Sequence, residues 1–240
     1  WKVKMPAKLT SIDFSPEARS VAVTDERGVL TLMDLETRKT LAELDVGTQI
    51  NGVAFSPDGE RLAVAVKDGR ILLWDETSGG EPELLHQHDD EVTAIAYSPD
   101  SSRLAATTLD GMVAVWRTDQ PDSPTFLSGH QSRVTSLAFR PDGKEMATGS
   151  YDGTVRLWDM DSDSIPVMLQ GHGSLIGANG QVFDVAYAEE GAILYSAGND
   201  STIRSYALNP GKLIEVAESR TPRRFTEQEC ARYNITPCPR

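Results

Sequence analysis

The strongest constraint on this chain is that it copies itself. The stretch "TGSYDGTVRLWD", Thr148 to Asp159, has near-copies in "AVKDGRILLWD" ending at Asp75, "TTLDGMVAVW" ending at Trp116 and "AGNDSTIRSY" ending at Tyr206. Five short β-rich segments end on an aromatic residue, at Phe14, Phe55, Tyr97, Phe139 and Tyr187, in steps of 41, 42, 42 and 48 residues. Gly28, Gly69, Gly111, Gly153 and Ser201 follow 14 residues after each aromatic, and Met33, Trp74, Trp116, Trp158 and Tyr206 follow 19 after. A fixed period of this length marks a solenoid, a propeller or an array.

Each unit reads as four strands. The "VTSLAF" type is bounded by "SPDG" or "RPDG", where Pro presets φ, Asp favours the turn and Gly accepts positive φ. A second run follows ("KEMATGS", "ERLAVAV"), then a tight turn at "YDG" or "KDG", a third run ("TVRLWD") and a fourth ("PVMLQG", "PTFLSG"). Both faces of such a sheet carry apolar residues, so both need cover from other sheets. Radial stacking supplies it and predicts an all-β propeller of four-stranded antiparallel blades.

The period, the closing "LWD" and the "GH" dipeptides resemble WD40 repeats over residues 1–217, most fully in "GHQSRVTSLAFRPDGKEMATGSYDGTVRLWD". The repeats fall at about 7–44, 45–87, 88–129, 130–171 and 172–217, with 218–240 as a separate tail. The likeness fades in the first repeat, where "LMD" replaces "LWD". "WKVKM" at the start and "KLIEVA" at 212–217 both align with fourth strands, one strand more than a closed five-blade ring uses. The expectation is a segment of a larger array, of the seven blades usual in this family or more.

His88, His130 and His172 recur at steps of 42 and 42, which fits either a metal ring or a structural strut. The hydrogen-bond inventory favours the strut. Trp158 only donates, ionised Asp152 only accepts, and Ser150 and His130 do both, so Trp–Ser–His–Asp is satisfied in one direction. The resemblance implies the same tetrad. Repeat 3 offers His88, Thr108, Asp110 and Trp116; repeat 5 keeps His172 and Asp200, with Gly198 and Tyr206 at the other two places. A metal ring would need ligands converging in one shell, whereas these histidines belong to different blades. No metal or other cofactor is expected.

Function is then sought where the copies differ. By resemblance, the top of the ring carries Lys8, Gln49, Glu91, Arg133 and Gln181 before the first strands, and Glu26, Lys67, Leu109, Tyr151 and Asn199 in the turns. Arg133, Tyr151 and Leu109 are the preferred anchors for a protein or peptide partner, because Arg and Tyr are enriched at binding hot spots and Leu would be exposed there. Repeat 5 carries extra residues, "GSLIGANGQ", on the same face; they fit either a tolerated insertion or a binding loop presenting Leu175 and Ile176.

In the tail, "TEQE" from Thr226 to Glu229 is a capping box that predicts a short helix through Tyr233. The pattern "FTEQECARY" followed by "CP" is similar to the segment that closes many bacterial WD40 proteins, whose propellers sit downstream of signalling modules such as STAND-class NTPases. The resemblance implies a sensor in the C-terminal part of a signalling or defence protein. Cys230 and Cys238 are the two cysteines; a disulfide and buried thiols both stay open, and their scarcity argues against a disulfide-stapled secreted fold and for the cytoplasm.

A net charge of −13 repels phosphate backbones and anionic lipid, so nucleic acid and membranes are poor partners. P-loop, HExxH, GxSxG and zinc spacings are absent from the sequence. A non-catalytic interaction propeller is therefore expected. A propeller enzyme with a site in the central channel and a purely structural spacer are the alternatives.

Overall fold

A computed structural model of the chain describes residues 4–75, 80–162, 164–170, 172 and 180–208. They form five antiparallel sheets in sequence order, each a meander. Blade 1 is β1 (Leu9–Phe14), β2 (Ser20–Asp25), β3 (Val29–Asp34) and β4 (Thr40–Asp45). Blade 2 is β5 (Ile50–Phe55), β6 (Leu62–Val66), β7 (Arg70–Trp74) and β8 (Glu83–Gln87). Blade 3 is β9 (Val92–Tyr97), β10 (Arg103–Thr108), β11 (Val113–Arg117) and β12 (Gln120–Leu127). Blade 4 is β13 (Val134–Phe139), β14 (Glu145–Ser150), β15 (Thr154–Asp159) and β16 (Val167–Gln170). Blade 5 shows three strands among the described residues, β17 (Val182–Ala188), β18 (Ile193–Gly198) and β19 (Ile203–Ala207).

The turns follow the predicted chemistry. In "SPDG" the Gly59 N–H donates to Ser56 O at 2.8 Å and Gly59 takes φ +76°, a conformation open to glycine at little cost. Gly69 closes the opposite turn at φ +92°, and a Cβ there would stand 2.2 Å from His88 O.

The core lies between blades. Leu30 and Leu32 of blade 1 meet Ile50, Leu62, Val64 and Trp74 of blade 2. Ala63 and Ile71 meet Val92, Leu104 and Trp116; Ala105 and Val113 meet Val134, Met146 and Trp158; Ala147 and Val155 meet Val182, Val185 and Leu194. Trp74, Trp116 and Trp158 therefore each face the blade before their own.

First strands of successive blades adjoin in order, β1 to β5, β9, β13 and β17, while β17 makes no comparable contact with β1 among the described residues. The two end faces are exposed in part: on the outer face of blade 1, Ile12 and Phe14 of the first strand are open while Val21, Val23, Thr31 and Met33 stay buried. Ile50, Val92, Val134 and Val182 are fully buried, but Leu9 at the same repeat position is 46% exposed. Leu30, Ile71, Val113 and Val155 are fully buried, but Ile203 is 76% exposed. Of the expected leading strand, Lys4 and Met5 are described and lie outside any strand. The expected fourth strand at 212–217, the helix at 226–233 and both cysteines lie outside the described residues.

Candidate functional site

Antiparallel meanders bring the residue before each first strand beside the turn between the second and third. The structure joins them as a backbone rung in all five blades. Glu26 N–H donates to Lys8 O at 3.0 Å, Lys67 to Gln49 at 2.9 Å, Leu109 to Glu91 at 2.9 Å, Tyr151 to Arg133 at 2.9 Å and Asn199 to Gln181 at 2.8 Å. The partners are a constant 18 residues apart. Lys67, Leu109 and Asn199 are exposed, and Glu91, Arg133, Tyr151 and Gln181 are half-buried.

From these rungs a side-chain string crosses four blades. Gln49 Nε2 donates to Asn51 Oδ1 at 2.8 Å, and Asn51 Nδ2 donates to Glu91 Oε1 at 2.9 Å. Arg133 Nη2 lies 3.9 Å from the same Glu91 oxygen. The guanidinium carbon sits 5.8 Å from the Tyr151 ring centre, and Tyr151 meets Phe183 edge-on at 6.0 Å. Such a cation–π contact contributes on the order of 0.5–1 kcal/mol at an exposed site. Arg133 Nε is buried and has no hydrogen-bond partner among the described residues. The string thus offers a fixed guanidinium between a carboxylate and two aromatic rings, a set suited to a peptide carbonyl or carboxylate beside an apolar side chain. Sequence reasoning missed Asn51 and Phe183; Phe183 sits where β17 bulges between Val182 and Asp184. Leu175 and Ile176 lie outside the described residues.

The supporting relay is complete in blade 4, with one member different from the expected one. Trp158 Nε1 donates to Thr148 Oγ1 at 2.8 Å, Thr148 Oγ1 lies 2.8 Å from His130 Nε2, and His130 Nδ1 lies 2.8 Å from Asp152 Oδ2. Because ionised Asp152 only accepts, the His130 proton sits on Nδ1 facing it, and the neutral ring's Nε2 accepts from the Thr148 hydroxyl, which in turn accepts the indole N–H. Ser150 is outside this relay: it donates to Ser132 O at 3.0 Å and accepts the Asp152 N–H at 3.0 Å, shaping the turn instead.

Blade 5 repeats the arrangement through Ser196, not Gly198. His172 Nε2 lies 2.7 Å from Ser196 Oγ and Nδ1 lies 2.9 Å from Asp200, with the Tyr206 hydroxyl 3.5 Å from Ser196 Oγ. Gly198 leaves room for the imidazole, since a Cβ there would meet His172 Nδ1 at 2.3 Å.

Blade 3, expected to hold a full relay, does not. Its residue at the Thr148 position is Ala106, so His88 Nε2 and Trp116 Nε1 are buried with no partner among the described residues. Thr108 donates instead to Asp110, which also accepts the Met112 N–H at 3.2 Å. Aromatic contacts hold His88 in place, with His86 at 4.6 Å, Phe126 at 6.0 Å and Trp116 at 6.1 Å between ring centres. Burial, reinforced by the His86 charge, pushes the His88 imidazole pKa below its ordinary value. Among the described residues no group of three or more His, Cys, Asp or Glu is placed to hold a metal ion.

Repeated four-stranded blades, one of them tied by a complete His–hydroxyl–Trp strut, define a class of β-propeller. Residues 39–75, 81–117, 122–159 and 167–206 match the family described as "WD domain, G-beta repeat", and together they span more than half of the sequence. The chain belongs to the WD40 repeat family, whose propellers generally bind proteins or peptides and are generally non-enzymatic scaffolds. The matched segments are offset from the blades: 39–75 joins β4 of blade 1 to the first three strands of blade 2.

Human WD repeat-containing protein 36 is 34% identical over 89 residues, covering 33% of this chain and 10% of its own length. Human Echinoderm microtubule-associated protein-like 3 is 31% identical over 81 residues, covering 33% of this chain and 9% of its own. The chain thus spans about a tenth of these curated relatives. The crystal structure of the Myceliophteria thermophila Cps50 (Swd1) beta-propeller domain is similar in fold, with a TM-score of 0.75 at 17% identity over 88% of this chain and 69% of that one.

Proposed function

We propose that the chain is a docking platform that takes a protein or peptide on its top face, anchored by Arg133 and Tyr151 with Glu91, Leu109 and Phe183 around them. The supporting observation is the string of side chains reaching across four blades with the Arg133 guanidinium at its centre, a side chain still 35% exposed between Glu91 and Tyr151. A positioned guanidinium of this kind forms strong charge-assisted hydrogen bonds with an acceptor. Lys67, Gln181 and Asn199 flank this centre and would tune selectivity.

The test compares partners retained by the wild-type chain and by the Arg133→Ala, Tyr151→Ala double variant. Both substitutions lie outside the relays, so the melting temperature stays close to wild type. The expected outcome is a partner whose affinity falls at least about tenfold in the double variant. An equally stable double variant that binds every partner as before overturns the proposal.

The finer context is also a proposal. The tail motif from Phe225 to Cys238 supports a place downstream of a signalling module in a cytoplasmic bacterial signalling or defence protein. The exposed Leu9, Ile12 and Phe14 at one end and Tyr195 and Ile203 at the other support further blades beyond these five. The acidic charge favours a protein partner over nucleic acid or membrane. The intact mass of the protein as the cell makes it tests the context, and a mass no greater than that of this sequence overturns it.

A further inference from the structure

On the face opposite Arg133, the Ser-Pro-Asp turns of one blade meet the connection from third to fourth strand of the next. Between blades 3 and 4 an arginine closes this seam. Arg103 Nη2 donates to Met160 O and to Asp161 Oδ1, both at 3.1 Å. Between blades 4 and 5 the residue at the same repeat position, Glu145, accepts the Tyr187 hydroxyl at 2.8 Å.

Between blades 2 and 3 the equivalent residue is Arg61, facing Thr118 and Asp119, and the closure is not made. Asp119 is held by Arg117 through bonds of 3.0 and 3.0 Å. Arg61 rests 3.9 Å from Glu83, with both side chains more than half exposed. The seam stays open as a cavity of about 470 Å³, floored by Leu73, Leu85, Tyr97, Leu104 and Trp116. Tyr97 is the counterpart of Tyr187, yet its hydroxyl makes no hydrogen bond among the described residues.

We propose that this cleft takes a large apolar side chain from an extended segment of a partner protein, with an adjacent carboxylate received by Arg61 and Tyr97. The volume and the apolar floor match a site for a ligand group of this size. Arg61 and the Tyr97 hydroxyl are donors of the lining left without a close partner among the described residues, while Glu60 and Glu83 are exposed carboxylates of the same lining. Among the acceptors, Asp58 already takes Ser56 Oγ at 2.6 Å and the Glu60 N–H at 3.0 Å, and Asp119 is clamped by Arg117. Exchanging the loose Glu83 contact for a ligand carboxylate would give Arg61 the bidentate geometry that a guanidinium favours. This site lies on the other face from Arg133, so it stands whether or not the top face binds a partner.

The experiment titrates the full chain with N-acetyl-L-tryptophan and with N-acetyl-L-tryptophanamide, which lacks the carboxylate, following backbone and indole NMR signals. The expected result is saturable shifts at Leu85, Tyr97 and Trp116, with a dissociation constant on the order of 1 mM. The carboxylate form should bind several-fold tighter than the amide. Arg61→Gln and Tyr97→Phe should each reduce that preference while leaving signals around Arg133 in place. Arg117→Asp installs the residue type blade 4 carries as Asp159 and frees Asp119 for Arg61; it should close the cleft and abolish binding. If that variant fails to fold, Arg61→Gln and Tyr97→Phe decide. No saturable shift in the wild type, equal affinity for the two probes, or binding indifferent to Arg61→Gln each overturns the proposal.

Discussion

Thr148 and Ser150 stand two residues apart on one strand, so their side chains leave the same face. Both are hydroxyls within reach of the turn, and repeat spacing alone does not separate them; only the position of the Trp158 indole does. Thr148→Val should leave two buried groups without partners, Trp158 Nε1 and His130 Nε2, and lower stability by roughly 1–3 kcal/mol for each. Ser150→Ala should cost less, because the groups it leaves lie at the turn. Chemical denaturation of the two variants checks the order. The carboxylates of the relay predict a pH effect. Burial raises the Asp152 carboxyl, but bonds from His130, Thr154 and the Gln131 N–H outweigh it and hold the pKa well below the ordinary range. Asp200 is held low by Thr202 and His172. A depressed folded-state pKa contributes stability that is present above the ordinary carboxylate value of about 3.9 and is lost as pH falls through the folded value. Melting temperatures of Asp152→Asn should therefore fall less steeply below about pH 4 than those of the wild type.

At the scale of the element, blades 3 and 4 share a fold but are held by different means. Blade 4 has a continuous relay, and blade 3 has an alanine in its place and a cluster of rings around His88. Ala106→Ser would supply the hydroxyl that Ser196 supplies in blade 5. It is expected to raise stability by about 1–2 kcal/mol, measured by equilibrium unfolding, since it gives partners to two buried groups. The strands, their order and the top-face pairs were legible in the sequence because five copies repeat the same offsets. The incomplete relay was not, because Thr108 occupies a position that sequence alone equated with the relay hydroxyl. The open cleft was not legible either. It depends on whether Asp119 pairs with Arg117 or with Arg61, and both arginines stand at suitable sequence positions.

At the scale of the molecule, the five blades form an arc whose ends differ from its middle. Leu9, Ile12 and Phe14 at one end, and Tyr195 and Ile203 at the other, are exposed at positions built like the core. Contiguous apolar surface of this kind promotes association. Sedimentation of the 240-residue chain should show concentration-dependent self-association, and Ile12→Lys combined with Ile203→Lys should reduce it. The top face has the opposite character. In every blade its two variable residues are tied by a main-chain bond, from the N–H of one to the carbonyl of the other. That bond is the same whichever side chains are attached. A library randomised at these ten sites would therefore keep its scaffold while sampling a broad set of surfaces. The propeller is in this sense a display frame, able to acquire new specificities by local substitution without rebuilding what lies beneath.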